Sequence, residues 1–202
     1  QQLYAMPAFF HGGVYLGFIA VHDQETDRVW TELTWSPDTL KWNRILPGQP
    51  FIDNEGDEGD YDWGCVYASS SAIFLKNEIR IYYGSSDGLH TSWRNGYFCT
   101  ASLRPDGFAG YFATLGQVTT KPIYTSTKIV HISADIHDQG CITIHALSDE
   151  GYVLASSDAL CHSVTDAPVT WTSASETLNL SQKQVSLRIE MRNATIYSVL
   201  LI

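Results

Sequence analysis

The stretch Val185-Ser186-Leu187-Arg188-Ile189-Glu190-Met191 places an apolar residue at every second position and a polar or charged one between. An extended strand turns successive side chains to opposite faces, so this period of two describes a half-buried antiparallel strand and no helix. The same reading applies to Val14 to Val21, Val29 to Trp35, Ile79 to Tyr83, Tyr97 to Leu103, Lys128 to Ile132, Cys141 to Leu147 and Ile196 to Leu201. No stretch sustains a helical apolar stripe. Turn residues separate these runs at Lys76-Asn77-Glu78, Arg104-Pro105-Asp106-Gly107 and Ser148-Asp149-Glu150-Gly151. Pro105 presets φ for a turn, and Gly107 is the residue expected to take φ > 0. The pattern predicts an all-β protein.

The composition narrows the partners. The chain has 202 residues, 12 Lys and Arg against 22 Asp and Glu, and a net charge of -10. That sign opposes a surface built to neutralise phosphates, so no nucleic acid partner is expected. The longest apolar runs, such as Val199-Leu200-Leu201-Ile202, fall far short of the ~20 residues of a membrane-crossing helix, and no membrane span is expected. Gln1 follows no initiator Met or leader-like segment, which reads as a mature product or a piece of a longer chain. Neither a nucleotide loop, a Gly-x-Ser-x-Gly elbow nor a zinc spacing occurs, and no cofactor or metal is expected. Asp53, Glu55 and Asp57 alternate as calcium ligands would, but Glu58 stands where an EF-hand loop needs Gly and Gly64 where it needs Glu.

Near residue 115 the strands change from Trp- and Tyr-rich with long polar loops to aliphatic, Ser- and Thr-rich and tightly connected. Two domains are expected, 1–115 and 116–202. Within the first, Trp35-Ser36-Pro37-Asp38 with Trp42 and Ser85-Ser86-Asp87-Gly88 with Trp93 look alike about fifty residues apart. In each, an Asp or Ser is expected to hold a tight turn by accepting backbone N–H bonds while the downstream Trp packs the hairpin, a spacing that suits four-stranded propeller blades.

A family resemblance rests on a longer series. Thr34-Trp35-Ser36-Pro37-Asp38, Trp42-Asn43-Arg44, Pro50-Phe51-Ile52, Tyr61-Asp62-Trp63-Gly64, Ile81-Tyr82-Tyr83-Gly84, His90 and Leu103-Arg104-Pro105-Asp106-Gly107-Phe108 together resemble the later blades of five-bladed β-propeller proteins similar to glycoside hydrolase families 32 and 43. In that group a β-sandwich commonly follows the propeller. The segment from Gly116 through Pro122, Gly140, Gly151, Trp171 and Ala194-Thr195-Ile196-Tyr197 is similar to such a module. The resemblance implies a partial propeller of about two blades in 1–115 and a β-sandwich in 116–202. Five blades need roughly 250 to 300 residues, so the other blades lie on another segment or the chain is a reduced relative without the catalytic set. Nothing here matches the first-blade nucleophile or base of those enzymes.

Glycoside hydrolysis needs two carboxyl groups across the scissile bond. The run Asp53 to Asp62 supplies carboxyls in abundance, mostly as a solvated loop. Asp62 is the exception, because it enters the apolar strand Trp63 to Ala68 and would point into a propeller funnel as acid or transition-state stabiliser. Glu32 is a second candidate, balanced against an outward-facing strand carboxyl. Trp63 and Trp93 would stack on a sugar's apolar face or pack between blades. His90 would present an imidazole beside them or stand by.

Four cysteines fall two to a module, and Asn179-Leu180-Ser181 and Asn193-Ala194-Thr195 are sequons. Secretion accounts for both, with expected disulfides Cys65–Cys99 and Cys141–Cys161, glycans at Asn179 and Asn193, and free thiols in a cytosolic protein as the alternative. Three classes remain: a carbohydrate-active enzyme, a carbohydrate-binding glycoprotein, and a structural or adhesive extracellular protein that assembles with copies of itself or with a segment carrying the other blades.

Overall fold

The computed structural model describes residues 1–54, 56–125, 129–172 and 183–202. All its described regular structure is β, in two sheets and two compact units, Gln1–Arg104 and Pro105–Ile202. The strand Tyr111–Thr119 spans the composition shift at residue 115 and belongs to the second unit. Among the described residues no helix is long and apolar enough to cross a membrane.

The first unit carries β1 (Gln2–Leu3), β2 (Ala8–His11), β3 (Val14–Asp23), β4 (Arg28–Ser36), β5 (Asn43–Arg44), β6 (Cys65–Ala68), β7 (Ile73–Phe74), β8 (Ile79–Ser86) and β9 (Gly96–Leu103). Each expected strand of this region is present. β1 and β2 share one edge of β3, whose other edge pairs with β4 from Tyr15↔Ser36 to Asp23↔Arg28. β6 and β7 share one edge of β8, and β9 lies on the other. A single parallel pair, Val29↔Cys65, joins the two groups. The hairpin β7–β8 closes over Lys76 and Asn77, with Leu75 N–H donating to Glu78 O. Phe18, Val21, Val29, Val66, Ile79 and Ile81 are buried almost completely and form the apolar interior of this sheet.

The second unit carries β10 (Tyr111–Thr119), β11 (Ile123–Thr125), β12 (Val130–Leu147), β13 (Val153–Ser156), β14 (Val164–Pro168) and β15 (Lys183–Leu201), in the order β10-β15-β12-β13 with β11 on β15 and β14 on β12. The sequence reads 185–191 and 196–201 as separate strands because the apolar phase slips between them. Val185, Leu187, Ile189 and Met191 are buried, and so are Ala194 and Ile196. The slip falls at Asn193, whose φ is 40°, opposite extra residues that β12 accommodates between Ile136 and Cys141. One bulge therefore reverses which parity faces the core while hydrogen bonding runs on through it. Val130, Ile132, Ala134, Ile142, Ile144 and Ala146 from β12 meet the β15 residues in one cluster. At the turn after Arg104, Asp106 rather than Gly107 takes the left-handed conformation, at φ 63°. Its carboxylate compensates by accepting from Ser133 Oγ at 2.8 Å and Ser198 Oγ at 2.9 Å.

All four cysteines are free thiols. Cys65 pairs with Ser86 on one side of β8, and Cys99 with Tyr83 on the other. Two strand spacings and three residues of offset put the two Cα atoms roughly 14 Å apart, where a disulfide needs less than about 7 Å. The expected Cys65–Cys99 bridge is therefore incompatible with the strand register. Cys141 and Cys161 differ: they flank the bridge Ile142↔Leu160, closed by two backbone hydrogen bonds of 2.9 Å, which sets them opposite each other.

Candidate functional site

Two clusters of functional side chains stand in the first unit. The first grows from the loop ahead of β6 and the loop joining β8 to β9. Asp62, half-buried, accepts a hydrogen bond from Tyr83 Oη at 3.2 Å. Burial, followed by the nearby Tyr61 and Asp62, pushes the Tyr83 phenol far above its ordinary range, so it stays a donor. Ser85 Oγ donates to Tyr61 O at 2.9 Å, holding Tyr61 so that its ring meets Tyr97 edge-on, centroids 6.3 Å apart. Tyr97 Oη donates to Asp87 Oδ2 at 3.1 Å, and Asn95 donates to both Asp87 oxygens through its backbone N–H at 2.9 Å and Nδ2 at 2.7 Å. The Asn95 side chain, its backbone and Tyr97 hold the Asp87 carboxyl below the usual carboxylate range, so it stays an acceptor. Trp93 projects from the same β8–β9 loop at 86% exposure, and Tyr61 and Tyr97 are exposed at 51% and 40%.

The turn chemistry expected of the two look-alike segments is present. Asp87 closes its loop on Asn95, and Asp38 accepts from the backbone of Leu40 and Lys41. The tryptophans diverge. Trp42 is half-buried, with its ring against Gly17, whereas Trp93 stands in solvent.

Trp63 lies under the guanidinium of Arg28, 5.0 Å from the ring centroid, while its carbonyl accepts from Arg28 Nε at 2.9 Å. Arg28 Nη2 also binds Asn54 O. Trp63 thus straps the acidic loop to β4. Glu32 is no outward-facing carboxyl. It is 1% exposed and accepts from Arg44 Nε and Nη2, both at 2.6 Å, from Trp30 Nε1 at 2.8 Å and from Gly48 N–H at 2.9 Å. Burial pushes its carboxyl upward, but the bonds from Arg44, Trp30 and Gly48 outweigh that and hold it ionised. With its lone pairs committed, it is a structural anchor.

His90 belongs to the second cluster, apart from Asp62. Its Nδ1 lies 2.9 Å from Tyr67 Oη, and its ring packs on His22 and Tyr4 at centroid distances of 4.7 and 5.1 Å. His22, 5% exposed on β3, reaches Asp27 Oδ1 with Nε2 at 3.0 Å and Tyr4 Oη with Nδ1 at 3.2 Å. Asp27 holds a left-handed φ of 58° at the β3–β4 turn. Its second oxygen accepts from Thr91 N–H at 3.0 Å and Thr91 Oγ1 at 2.6 Å. Those Thr91 bonds and His22 bring the Asp27 carboxyl down to about 2. Tyr4, His22, Asp27 and Tyr67 escape a sequence reading because they come from three separate segments, the chain after β1, the β3–β4 hairpin and β6, and form no recognised motif.

In the second unit, Asn193 Nδ2 donates to Asp138 O at 3.2 Å within the bulge. Asn179 lies outside the described residues, as does Glu55 of the alternating acidic set. Among the described residues no group of three or more His, Cys, Asp or Glu side chains is arranged to hold a metal ion. An apolar cavity of about 190 Å³ is lined by Ile132, Ile142, Ile144, Leu160 and Val169, with His162 on its wall.

No family model matches the chain, and no curated protein matches it. Among solved structures, sucrose-6-phosphate hydrolase from Lactobacillus gasseri aligns over 93% of this chain at 11% sequence identity, with a TM-score of 0.24. The chain spans 65% of that protein's length.

Proposed function

We propose that the first unit binds carbohydrate at the patch formed by Tyr61, Asp62, Asp87, Trp93, Asn95 and Tyr97. The observation that carries the reading is that two exposed aromatic rings, Tyr61 and Trp93, share two loops with two carboxylates and an amide, and a third, Tyr97 at the start of β9, meets Tyr61 edge-on. Sugars present apolar C–H faces that stack on such rings and hydroxyls that bond to carboxylate and amide groups. Binding without turnover is favoured because Asp87 is held ionised by Asn95 and Tyr97, and Asp62 is engaged by a phenol rather than by a second carboxyl. Trp63 supports the patch from behind, and His90 serves the other cluster. The same reading takes the two strand groups joined at Val29↔Cys65 as neighbouring propeller-type blades, the second unit as a sandwich-type module and the protein as secreted, with the Cys141–Cys161 bridge formed and Asn179 and Asn193 as its glycan acceptors.

A glycan array followed by titration calorimetry tests it. An aromatic contact contributes about 0.5–1.5 kcal/mol beyond area burial, so Tyr97→Ala and Trp93→Ala are each expected to weaken binding about 3- to 10-fold. Asp62→Asn should weaken binding while wild type leaves chromogenic glycosides intact. Hydrolysis by wild type that Asp62→Asn abolishes would replace binding by catalysis, and silence across the array would remove the carbohydrate reading.

A second reading has its own observation. Edge strand β10 exposes Tyr111 at 70%, Phe112 at 61% and Leu115 at 84%. An unpaired apolar edge is a template for another strand, and here the proposed partner is a second copy of the chain. Light scattering on wild type and Leu115→Lys decides it: a dimer reduced to monomer supports assembly, and a monomeric wild type excludes it.

A further inference from the structure

The cluster around His22 contains a relay that carbohydrate binding does not use. Three roles of nucleophilic catalysis are a nucleophile, a base bonded to it, and a group that orients the base. Asp27 is ionised, fixed by two bonds from Thr91, and can only accept a hydrogen bond from His22 Nε2. The proton of neutral His22 therefore sits on Nε2, leaving the Nδ1 lone pair for Tyr4 Oη, 3.2 Å away. Tyr4 must then donate its phenolic proton to His22.

The surroundings keep this arrangement intact. Backbone bonds Tyr4 N–H to Ala20 O at 3.0 Å and Ala20 N–H to Ala5 O at 2.8 Å fix Tyr4 beside β3. His90 N–H donates to Asp27 O at 2.8 Å, which fixes the turn that presents the carboxylate. The His90 ring closes one side of both His22 and Tyr4. Burial, then His22 and Arg94, lower the tendency of His90 to take a proton. Burial, then Cys65, push the Tyr67 phenol up to about 12, so it remains the donor to His90. The His90 ring thus shields the base, with Arg94 bonded to the His90 carbonyl, while Tyr4 is 47% exposed to an incoming reagent.

We propose that Tyr4 is a nucleophile that accepts acyl groups from activated donors such as aryl esters and thioesters. The Tyr4 oxygen attacks the acyl carbon as its proton passes to His22 Nδ1. The bond from acyl carbon to the leaving oxygen or sulfur breaks, and that atom leaves with the proton returned by His22. The product is an aryl ester on Tyr4 and a free phenol or thiol. Water, surrendering a proton to the same nitrogen, then cleaves the ester to a carboxylic acid and restores the phenol. No oxidation state changes, and no reactant beyond donor and water is needed. Thr91 is a positioning residue acting through Asp27. The inference is independent of the carbohydrate patch.

The test uses p-nitrophenyl acetate on the full chain, with peptide mass spectrometry to locate acetyl groups. Tyr111, Tyr124 and Tyr152 are exposed at 70, 73 and 68% and serve as internal references. A positioned base contributes about 10²-fold or more, so Tyr4 is expected to acetylate about 10²-fold faster than these tyrosines despite its lower exposure. Asp27→Asn and His22→Gln should bring Tyr4 down to the reference rate without altering the references. Thr91→Ala should give an intermediate rate and Tyr4→Phe no label. A wild-type protein whose Tyr4 labels no faster than the references overturns the proposal, whatever the variants do.

Discussion

Arg44→Met isolates the anchor at Glu32. The substitution keeps the apolar stem of Arg44 and removes both bonds of 2.6 Å, leaving a carboxylate at 1% exposure with only Trp30 and Gly48 as donors. Breaking one side of a buried pair typically costs about 3–5 kcal/mol. The Arg44 side chain is 25% exposed, so water can reach the vacated place, and about 3 kcal/mol is expected. In a unit of this size 1 kcal/mol moves Tm by roughly 4 °C or more, so the expected fall is about 12 °C. Replacing both partners, Glu32→Leu with Arg44→Met, leaves no stranded charge and should recover at least about 2 kcal/mol relative to the single change. Five of the six tryptophans, Trp30, Trp35, Trp42, Trp63 and Trp93, lie in the first unit. Urea unfolding followed by tryptophan fluorescence therefore reports that unit in the intact chain. If Arg44→Met costs under about 1 kcal/mol, or the double variant is no better than the single, the anchor reading is refuted.

Acid should weaken the first unit in two windows. The folded-state pKa of His90 is lowered, so the unfolded chain takes the proton first, and the stability this confers is full above about 6.5 and falls below it. Asp27, at about 2 when folded, contributes stability above its ordinary 3.8 that is lost as the pH falls toward 2. Urea midpoints from pH 8 to 3 should lose the first window in His90→Gln and the second in Asp27→Asn, and unchanged profiles would contradict both assignments. Gly64→Ala would place a Cβ 1.9 Å from Gly88 O and should cost about 3 kcal/mol or more, while Gly84→Ala, with nothing within 4 Å, should stay within about 1 kcal/mol. Equal midpoints for the two would refute the close approach. Leu187→Ala, in the fully buried β15 core, is expected to cost about 2–5 kcal/mol by thermal denaturation, and a loss under 1 kcal/mol would mean that site collapses freely. Incubation with oxidised glutathione should join Cys141 to Cys161, releasing two reduced glutathiones and raising stability by ~3 kcal/mol for a closed loop of this length. Peptide mapping that finds Cys65 joined to Cys99 instead would refute the register argument.

Val185 to Met191 is legible because one buried face imposes a period of two, whereas Val14 to Val21 is buried on both faces from Leu16 onward and is legible as a near-continuous apolar run. β10 escapes that test: Tyr111, Phe112 and Leu115 are apolar yet exposed, so its hydropathy follows no buried face. The slip at Asn193 is hidden for another reason, since a bulge costs one residue of phase and leaves no marker as plain as Gly or Pro. Within the candidate site, Asp87 was foreshadowed by its turn motif. Asp62 precedes β6 and is half-buried, and its hydrogen-bond partner Tyr83 arrives through strand pairing. The relay of Tyr4, His22 and Asp27 depends on β1 folding back along β3 and on a turn held from Thr91, 64 residues away. Such long-range proximity leaves no local trace.

The ribbon of β12 and β15 dictates an order of events during synthesis. Leu147 pairs with Ser186 and Val130 with Leu201, so the partners are 39 residues apart at one end and 71 at the other. Closing the shorter loop is favoured by about 0.5 kcal/mol, which starts the zipper at Leu147 and drives it through the bulge toward Val130. Until β15 emerges, the edge of β12 that carries Val130, Ile132, Ile142 and Ile144 toward Val185, Leu187, Ile189 and Met191 lacks those partners, although Leu160 and Ala167 already pair on its other edge. A ribosome adding about 5–20 residues per second leaves that edge uncovered for several seconds. The interval is a hazard written into the strand order, and it makes β12 the segment where a chaperone, or a neighbouring nascent chain, would first take hold.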